Sequence, residues 1–178
     1  MINKFTKMKT ILYIISFLSF FNTNLHGELI KRKTLKIGDP MPSFSLIDQN
    51  GESFDAIDYI GKQPLVIFFY PKDNAPVCTT QACSFRDSFD DFTKLNAKIV
   101  GISPDDVVSH RDFQKKNKLQ YTLLSDYNKI VYDLFGVSKR DRITFIANKK
   151  GRIVYVFNNR KEAKMHTSQA LIALRNQL

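Results

Sequence analysis

The sequence predicts an α/β protein whose mixed β-sheet is flanked by helices. Apolar runs typical of strands alternate with helical patterns along most of the chain, and a hairpin signal stands at each end of that alternation. With 178 residues, 43% of them hydrophobic, the chain is long enough for one domain with a substantial core.

The first half of the domain begins with an N-terminal β-hairpin. Residues 41–46 followed by the Asn-Gly segment 48–52 are typical of a strand that enters a tight turn. The apolar run 65–70 predicts a central strand covered on both faces, and a helix is predicted over 76–95. Three phenylalanines on one face of this helix are predicted to be core residues: Phe85, Phe89 and Phe92.

The second half continues the alternation and ends in a second hairpin and a helix. Gly136 is typical of a helix C-terminus. The predicted elements are a strand over 98–102, a helix over 105–117, a strand over 121–124, a helix over 130–135, a hairpin formed by 144–147 and 152–157, and a helix over 163–176.

The N-terminus has the pattern of an export signal. Three lysines precede the apolar run 11–21, which polar residues follow at 22–24. A basic flank, an apolar stretch of about 11 residues and a polar exit are typical of a signal peptide, and the run is short of the about 20 residues that span a membrane. Plastid-directed signals look similar, so the sequence predicts a periplasmic or secreted protein, or alternatively one delivered to a plastid-type organelle.

These patterns divide the chain into three parts. We predict a signal peptide over 1–27, a basic linker over 28–36 and the folded domain over 37–178. Residues 1–36 hold seven basic residues and one acidic residue, so most of the net charge of +10 lies at the start of the chain. No basic stripe interleaved with aromatic residues indicates a nucleic-acid partner, and no stable membrane association is expected after signal cleavage.

The two cysteines, Cys78 and Cys83, share the predicted helix that follows the buried strand. Cys78 falls in the first turn, where unpaired backbone N–H groups and the helix dipole favour a thiolate, the nucleophilic form of cysteine. Five helical residues separate two Cα atoms by roughly 8–9 Å, whereas a disulfide needs them within about 7 Å. The pair can therefore join only if the helix unwinds, which indicates a redox pair; a permanent disulfide formed after export is the alternative.

The segment 70–87, YPKDNAPVCTTQACSFRD, resembles the peroxiredoxins. Within them it is similar to the bacterioferritin-comigratory or Q-type branch, whose signature is close to YPKD-x-TPGCT-x-x-AC-x-FRD. The likeness extends to 100–126, 142–146 and 158–159. It implies a thioredoxin-like fold and a thioredoxin-dependent thiol peroxidase that uses no cofactor and works as a monomer.

The resemblance also implies roles for four residues. Cys78 is the peroxidatic cysteine, which attacks the peroxide and becomes a sulfenic acid; Cys83 is the resolving cysteine, which forms a disulfide with it. Arg142 matches the arginine that precedes a strand in this family, although the residues alone do not distinguish it from the basic pair at 139–140. Pro71 completes the predicted catalytic set, and a thioredoxin-like donor restores both thiols.

The sequence departs from the family pattern beside the peroxidatic cysteine. Ala75 stands where the family has a threonine, whose hydroxyl is thought to contact the thiolate, and Val77 replaces a glycine. These changes favour a second hypothesis, in which the protein is a catalytically weakened relative that senses redox state or binds a partner.

The remaining chemically reactive residues predict no further site. His110 and His166 fall in predicted helices and are interpreted as surface or structural histidines. Neither belongs to a cysteine and histidine set with metal-ligand spacing, so no metal is predicted.

Overall fold

The computed structural model describes residues 33–176. In this part of the chain seven strands form one sheet with the order β2-β1-β5-β4-β3-β6-β7. The strands are β1 (Ser45–Asp48), β2 (Ser53–Asp55), β3 (Leu65–Phe69), β4 (Lys98–Ser103), β5 (Thr122–Ser125), β6 (Ile143–Ala147) and β7 (Ile153–Asn158). The helices are α1 (Pro76–Asp87), α2 (Phe89–Lys94), α3 (Val107–Asn117), α4 (Ile130–Phe135) and α5 (Met165–Arg175).

The sheet is mixed, as the sequence predicts. β3 pairs in parallel with β4, and β4 in parallel with β5. The N-terminal hairpin joins antiparallel to β5, and β6 and β7 are antiparallel on the other side of β3. β3 is therefore central, and all five of its residues are buried.

Alternation along β3 divides the core into two layers. Leu65, Ile67 and Phe69 face the layer that contains α4. Val66 and Phe68 face the layer that contains α1, α3 and α5. Cys78 belongs to this second layer, so the sheet itself provides the floor beneath the cysteine.

One glycine allows α1 to approach the sheet closely. A Cβ added to Gly101 in β4 would lie 2.6 Å from the ring of Phe68 and 2.9 Å from Leu123. Phe68 occupies that space and stacks on Phe85 of α1, with ring centroids 4.5 Å apart. Aromatic stacking of this kind fixes the rotation of α1 over the sheet.

Two predicted elements differ from the structure. The predicted helix over 76–95 is two helices, because the chain turns at Ser88, and Phe89 is only partly buried whereas Phe85 and Phe92 are fully buried. The first strand begins at Ser45, not at 41, because the prolines at 40 and 42 have no N–H to donate to a sheet.

The predicted signal peptide over 1–27 lies outside the described residues. Of the predicted linker, Thr34 and Leu35 hydrogen-bond to the end of α4, at Gly136 O (2.7 Å) and Phe135 O (3.1 Å). The domain contacts thus begin before residue 37. Within 33–176, no helix is long and apolar enough to cross a membrane.

Candidate active site

Cys78 occupies the first turn of α1, at the edge where β3 ends. The loop between β3 and α1 is short, and the proline at position 76 begins the helix, where its missing N–H costs nothing. The side chain of Cys78 is only 3% exposed. The predicted position of the sulfur, in the positively polarised first turn of a helix, is confirmed.

Arg142 reaches the same edge from the other side of β3. β6 pairs antiparallel with β3 so that Ile143 lies opposite Phe69, which places Arg142 beside the carboxyl end of β3. Its Nη2 donates to Cys78 Sγ over 3.4 Å, and its side chain is buried. A guanidinium in this position stabilises a negative charge on the sulfur.

Gln81 holds the guanidinium in place. It lies three residues after Cys78 on the same face of α1, and its Oε1 accepts a hydrogen bond from Arg142 Nη1. Gln81 is fully buried and carries no charge. None of the ion pairs among residues 33–176 includes Arg142, so its positive charge is directed to Cys78 without a competing carboxylate.

Two N–H groups at the site have no hydrogen-bond partner within the described part of the chain. They are Arg142 Nε and Gln81 Nε2, and both are buried. A buried donor without an acceptor is costly. The two side chains nearest the guanidinium contact with Cys78 therefore carry unused donors, from which a small oxygen-rich molecule can accept hydrogen bonds.

The loop that delivers Cys78 is anchored by Asp73. Its carboxylate is buried and accepts hydrogen bonds from Tyr70 (2.7 Å) and Ser109 (2.8 Å), and His110 Nδ1 lies 2.8 Å away. His110 Nε2 donates to Leu124 O over 3.1 Å. Burial, followed by the nearby Asp73 carboxylate, raises the pKa of Tyr70 well above its usual range, so the tyrosine remains a hydrogen-bond donor.

Pro71 begins this loop, directly after Tyr70, whose carbonyl accepts a hydrogen bond from α4. The hydroxyl of Tyr132 donates to Tyr70 O over 2.7 Å. Burial is the main cause that raises the pKa of Tyr132, and the charges of Asp126 and Cys78 add to it. Pro71 is half-buried and lies in the loop leading to Cys78.

The backbone of Arg142 is supported by His166. Asn159 N donates to Arg142 O over 3.3 Å, and His166 Nε2 donates to Asn159 O over 2.8 Å. The hydroxyl of Thr144 lies 2.8 Å from the other ring nitrogen. Burial, and to a smaller extent the charge of Arg142, lowers the pKa of His166 to about 4. The imidazole is therefore neutral at pH 7 and accepts from Thr144.

Cys83 has different surroundings on the same helix. It is partly exposed, and its Sγ donates to Asn117 Oδ1 of α3 over 3.8 Å. Both cysteines are free thiols on an unbroken helix. The structure therefore brings Cys78 and Arg142 together and holds Cys83 away from them.

Ala75 is the residue that caps α1. Its backbone is extended (φ −67°, ψ 136°) and no side chain caps the helix there. Serine, threonine or aspartate at such a position accepts from the first N–H groups of the helix, and alanine leaves those groups unbound by a side chain.

The sequence did not identify the residues that support the predicted catalytic set. Gln81, Asp73, Tyr132 and His166 contact the site through tertiary structure, and only the three-residue spacing of Gln81 from Cys78 could have indicated one of them. His110 and His166 are both structural and fully buried, not surface residues. Among residues 33–176, no group of three or more side chains is arranged to hold a metal ion.

Comparison with known families assigns the chain to a class. A family model described as AhpC/TSA family matches residues 37–156. The chain therefore belongs to the AhpC/TSA family.

Within that family the chain is similar to the peroxiredoxin Q proteins. A protein of rice (Oryza sativa subsp. indica) named putative peroxiredoxin Q, chloroplastic, is 40% identical over 146 residues, covering 78% of this chain and 66% of the relative. The match thus spans just under two thirds of the rice protein.

Solved structures share both the fold and much of the length. Peroxidoxin BcpB from Mycobacterium tuberculosis is 32% identical with a TM-score of 0.75, covering 80% of this chain and 97% of that one. The bacterioferritin comigratory protein of Xanthomonas campestris, which has alkyl peroxide reduction activity, is 28% identical with a TM-score of 0.73, covering 78% of this chain and 99% of that one. The predicted thioredoxin-like fold and the Q-type branch are confirmed.

Proposed function

We propose that the protein is a thiol peroxidase that reduces hydrogen peroxide and organic hydroperoxides. The observation that carries the proposal is the 3.4 Å contact between Arg142 Nη2 and Cys78 Sγ, buried at the N-terminus of α1. A helix N-terminus and a guanidinium both favour an anion. The similarity to peroxiredoxin Q proteins and to an alkyl peroxide reductase supports the same chemistry.

In the first step the Cys78 thiolate attacks the terminal oxygen of the peroxide. The S–O bond forms as the O–O bond breaks, and the leaving alkoxide or hydroxide takes a proton to give alcohol or water. Arg142 stabilises the negative charge that moves from sulfur to the leaving oxygen, and its free Nε–H adds a second donor. Pro71 shapes the loop that admits the peroxide.

In the second step Cys83 attacks the sulfenic acid. Its thiol sulfur bonds to Cys78 Sγ, and the hydroxyl of the sulfenic acid leaves as water. Both cysteines lie on one intact helix five residues apart, so the turn between them must unwind first. A dithiol donor of the thioredoxin type then supplies two electrons and two protons to restore both thiols.

The test is consumption of hydrogen peroxide and of cumene hydroperoxide by the reduced protein with thioredoxin, thioredoxin reductase and NADPH. Cys78→Ser should abolish turnover. Cys83→Ser should consume one equivalent of peroxide in a fast phase and show no sustained turnover, because the sulfenic acid lacks its partner and can only be oxidised slowly to a sulfinic acid. A wild-type protein that consumes no peroxide would refute the proposal.

One observation favours a second function, the sensing of redox state. Ala75 offers no hydroxyl at the cap of α1, where the resemblance implies a threonine that contacts the thiolate. A reduced protein that forms the disulfide slowly and stoichiometrically, without turnover, would favour the sensor.

We propose further that residues 1–27 form a cleaved signal and that the mature chain begins in the linker 28–36. The relatives with chloroplastic names support delivery to a plastid-type organelle, while the basic and apolar pattern of 1–27 also supports a periplasmic or secreted protein. N-terminal sequencing of the protein isolated from its native cells tests the cleavage, and intact residues 1–27 would contradict it. Sedimentation of that material tests whether the mature protein is a monomer.

A further inference from the structure

The C-terminal end of α3 contacts the face of α1 that carries Cys83. Asn117 is the last residue of α3, so its carbonyl lies past the hydrogen-bonded turns of the helix. The capping N–H of Lys118 donates further back, to the carbonyls of Gln114 and Lys115. The last carbonyls of a helix need outside donors and attract positive charge. Arg86 of α1 supplies both, since its Nη1 donates to Asn117 O over 2.9 Å.

The guanidinium of Arg86 is oriented for this contact by its neighbour. Asp87 accepts from Arg86 Nε (2.8 Å) and Nη2 (2.7 Å), which leaves Nη1 directed to α3. The hydrogen bond that Arg86 donates to Asp87 is the largest cause that raises the pKa of Arg86. Arg86 is therefore charged, fixed and close to Cys83.

The side chain of Asn117 makes the second contact. Its Nδ2 donates to Phe113 O over 2.9 Å, which fixes the amide so that Oδ1 faces Cys83 Sγ at 3.8 Å. Asn117 thus contacts α1 at positions 83 and 86, one helical turn apart on the same face. Cys83 cannot travel to Cys78 until the first of these contacts breaks, and Arg86 keeps the last turn of α1 helical while the second persists.

We propose that Arg86 and Asn117 form a latch that holds Cys83 in the reduced, helical form and thereby sets the rate at which it reaches the sulfenic acid of Cys78. This inference rests on the proposed function. Arg86 and Asn117 are positioning residues and act through Cys83. While the latch is closed, a second peroxide can oxidise the sulfenic acid of Cys78 to a sulfinic acid and leave as alcohol or water, so the latch also decides how readily the protein is overoxidised.

The test separates the two steps in Arg86→Gln by rapid mixing with peroxide, acid quenching and mass analysis of the sulfenic, disulfide and sulfinic forms. The loss of one partly exposed charged hydrogen bond should speed disulfide formation about fivefold. The first step should remain unchanged, and the sulfinic fraction at a fixed excess of peroxide should fall in proportion. Arg86→Lys should restore part of the wild-type rate.

Arg111→Gln is the matched control. Arg111 belongs to α3, like Asn117, and donates to a backbone carbonyl, Gln49 O at 3.1 Å, which lies in the turn between β1 and β2 and not in α1. It should change neither the disulfide rate nor the sulfinic fraction. Amide hydrogen exchange of residues 79–86 in the reduced protein should rise in Arg86→Gln and not in the control.

A second variant, Asn117→Ala, tests the latch independently if Arg86→Gln does not fold. Asn117→Ala removes the acceptor of Cys83 but keeps the backbone carbonyl, so disulfide formation should rise about twofold. Disulfide formation at the wild-type rate in both folded variants would overturn the latch alone. A wild-type protein that forms no disulfide between Cys78 and Cys83 would overturn the proposed function and the latch with it.

Discussion

Cys78 and Cys83 lie five residues apart on one helix, yet their surroundings differ in nearly every respect. Cys78 is buried, at the positive end of α1, and accepts a hydrogen bond from a guanidinium. Cys83 is partly exposed, in the middle of the helix, and donates to an amide oxygen. A thiolate can only accept hydrogen bonds, whereas a thiol can also donate one.

The difference shows how one helix separates two roles. The surroundings of Cys78 are built by β3, β6 and the loop fixed by Asp73, which lie outside α1, and by Gln81, which lies in the turn between the two cysteines. The surroundings of Cys83 are built by the end of α3 and must be given up before a disulfide forms. On the proposed mechanism, the nucleophile and the partner that must be released to reach it thus lie on the same short helix.

Removing the guanidinium of Arg142 should have the largest effect on the difference between the two cysteines. Arg142→Met should lower the rate of Cys78 oxidation about 100- to 1000-fold, the range for loss of one donor to developing charge. Single-turnover oxidation of a Cys83→Ser background measures it. Arg140→Met, an exposed arginine two residues earlier, is the control, and equal losses in both variants would contradict the role of Arg142.

The position of Arg142 beside Cys78 also depends on a neutral His166, which supports the backbone of Arg142 through Asn159. Its pKa is about 4 in the folded protein, against about 6.5 when unfolded, so the unfolded chain binds more protons between these values. The stability that the neutral His166 contributes is fully present above pH 6.5. It should be lost as pH falls towards 4, which lowers the free energy of unfolding by about 3 kcal/mol. Urea unfolding from pH 7 to 4.5 measures the slope.

His166→Gln is the comparison for that experiment, because glutamine does not titrate. Its unfolding free energy should depend less on pH over the same interval than that of the wild type. Equal slopes in the two proteins would show that His166 is not the titrating group.

A smaller effect is expected when the neutral partner of Arg142 becomes charged. In Gln81→Glu the carboxylate would compete for the guanidinium and repel a thiolate, so the reaction of Cys78 with peroxide at pH 7 should slow about tenfold. Alkylation of Cys78 by iodoacetamide across pH in a Cys83→Ser background measures the thiolate fraction. Gln120→Glu makes the same change at an exposed position, and an unchanged Gln81→Glu profile would refute the charge argument.

The smallest effect should be a gain. Ala75→Thr places a hydroxyl at the cap of α1, where it can accept from the first N–H groups, and should stabilise the protein by about 1 kcal/mol. We expect a rise of about threefold in kcat/KM, as for a modest added hydrogen bond. Ala75→Val has the same shape without the hydroxyl, so a gain shared by both variants would point to packing instead.

Strongly patterned elements could be predicted from the sequence. The buried run ending at Tyr70, the Asn-Gly hairpin turn and the two-stranded hairpin at the end of the sheet all appear where local pattern places them. The break at Ser88 could not be predicted, because the apolar spacing continues across it and only packing of α2 on the sheet decides the change in direction. The start of β1 at Ser45 was missed for a local reason, the prolines before it.

The candidate site divides in the same way. Cys78 is recognisable from its place after a buried strand, and the unwinding requirement follows from the spacing of the two cysteines. Arg142 could be chosen over its basic neighbours only by resemblance, since nothing local distinguishes three cations in a loop. The structure adds the reason, because β6 pairs with β3 in a register that brings position 142 to the end of β3.

By itself, then, the sequence determined which sulfur begins a helix, that its partner lies too far along that helix to bond directly, and which runs of residues form the sheet. These properties depend on neighbours along the chain, where spacing and residue type suffice. Only the tertiary structure decided that Gln81 holds Arg142 without neutralising it, that His166 supports the arginine from behind, and that Asn117 holds Cys83. Those contacts join residues 31 to 64 positions apart, either directly or through a third residue. They depend on strand register and helix packing, which cannot be read from any single segment of the sequence.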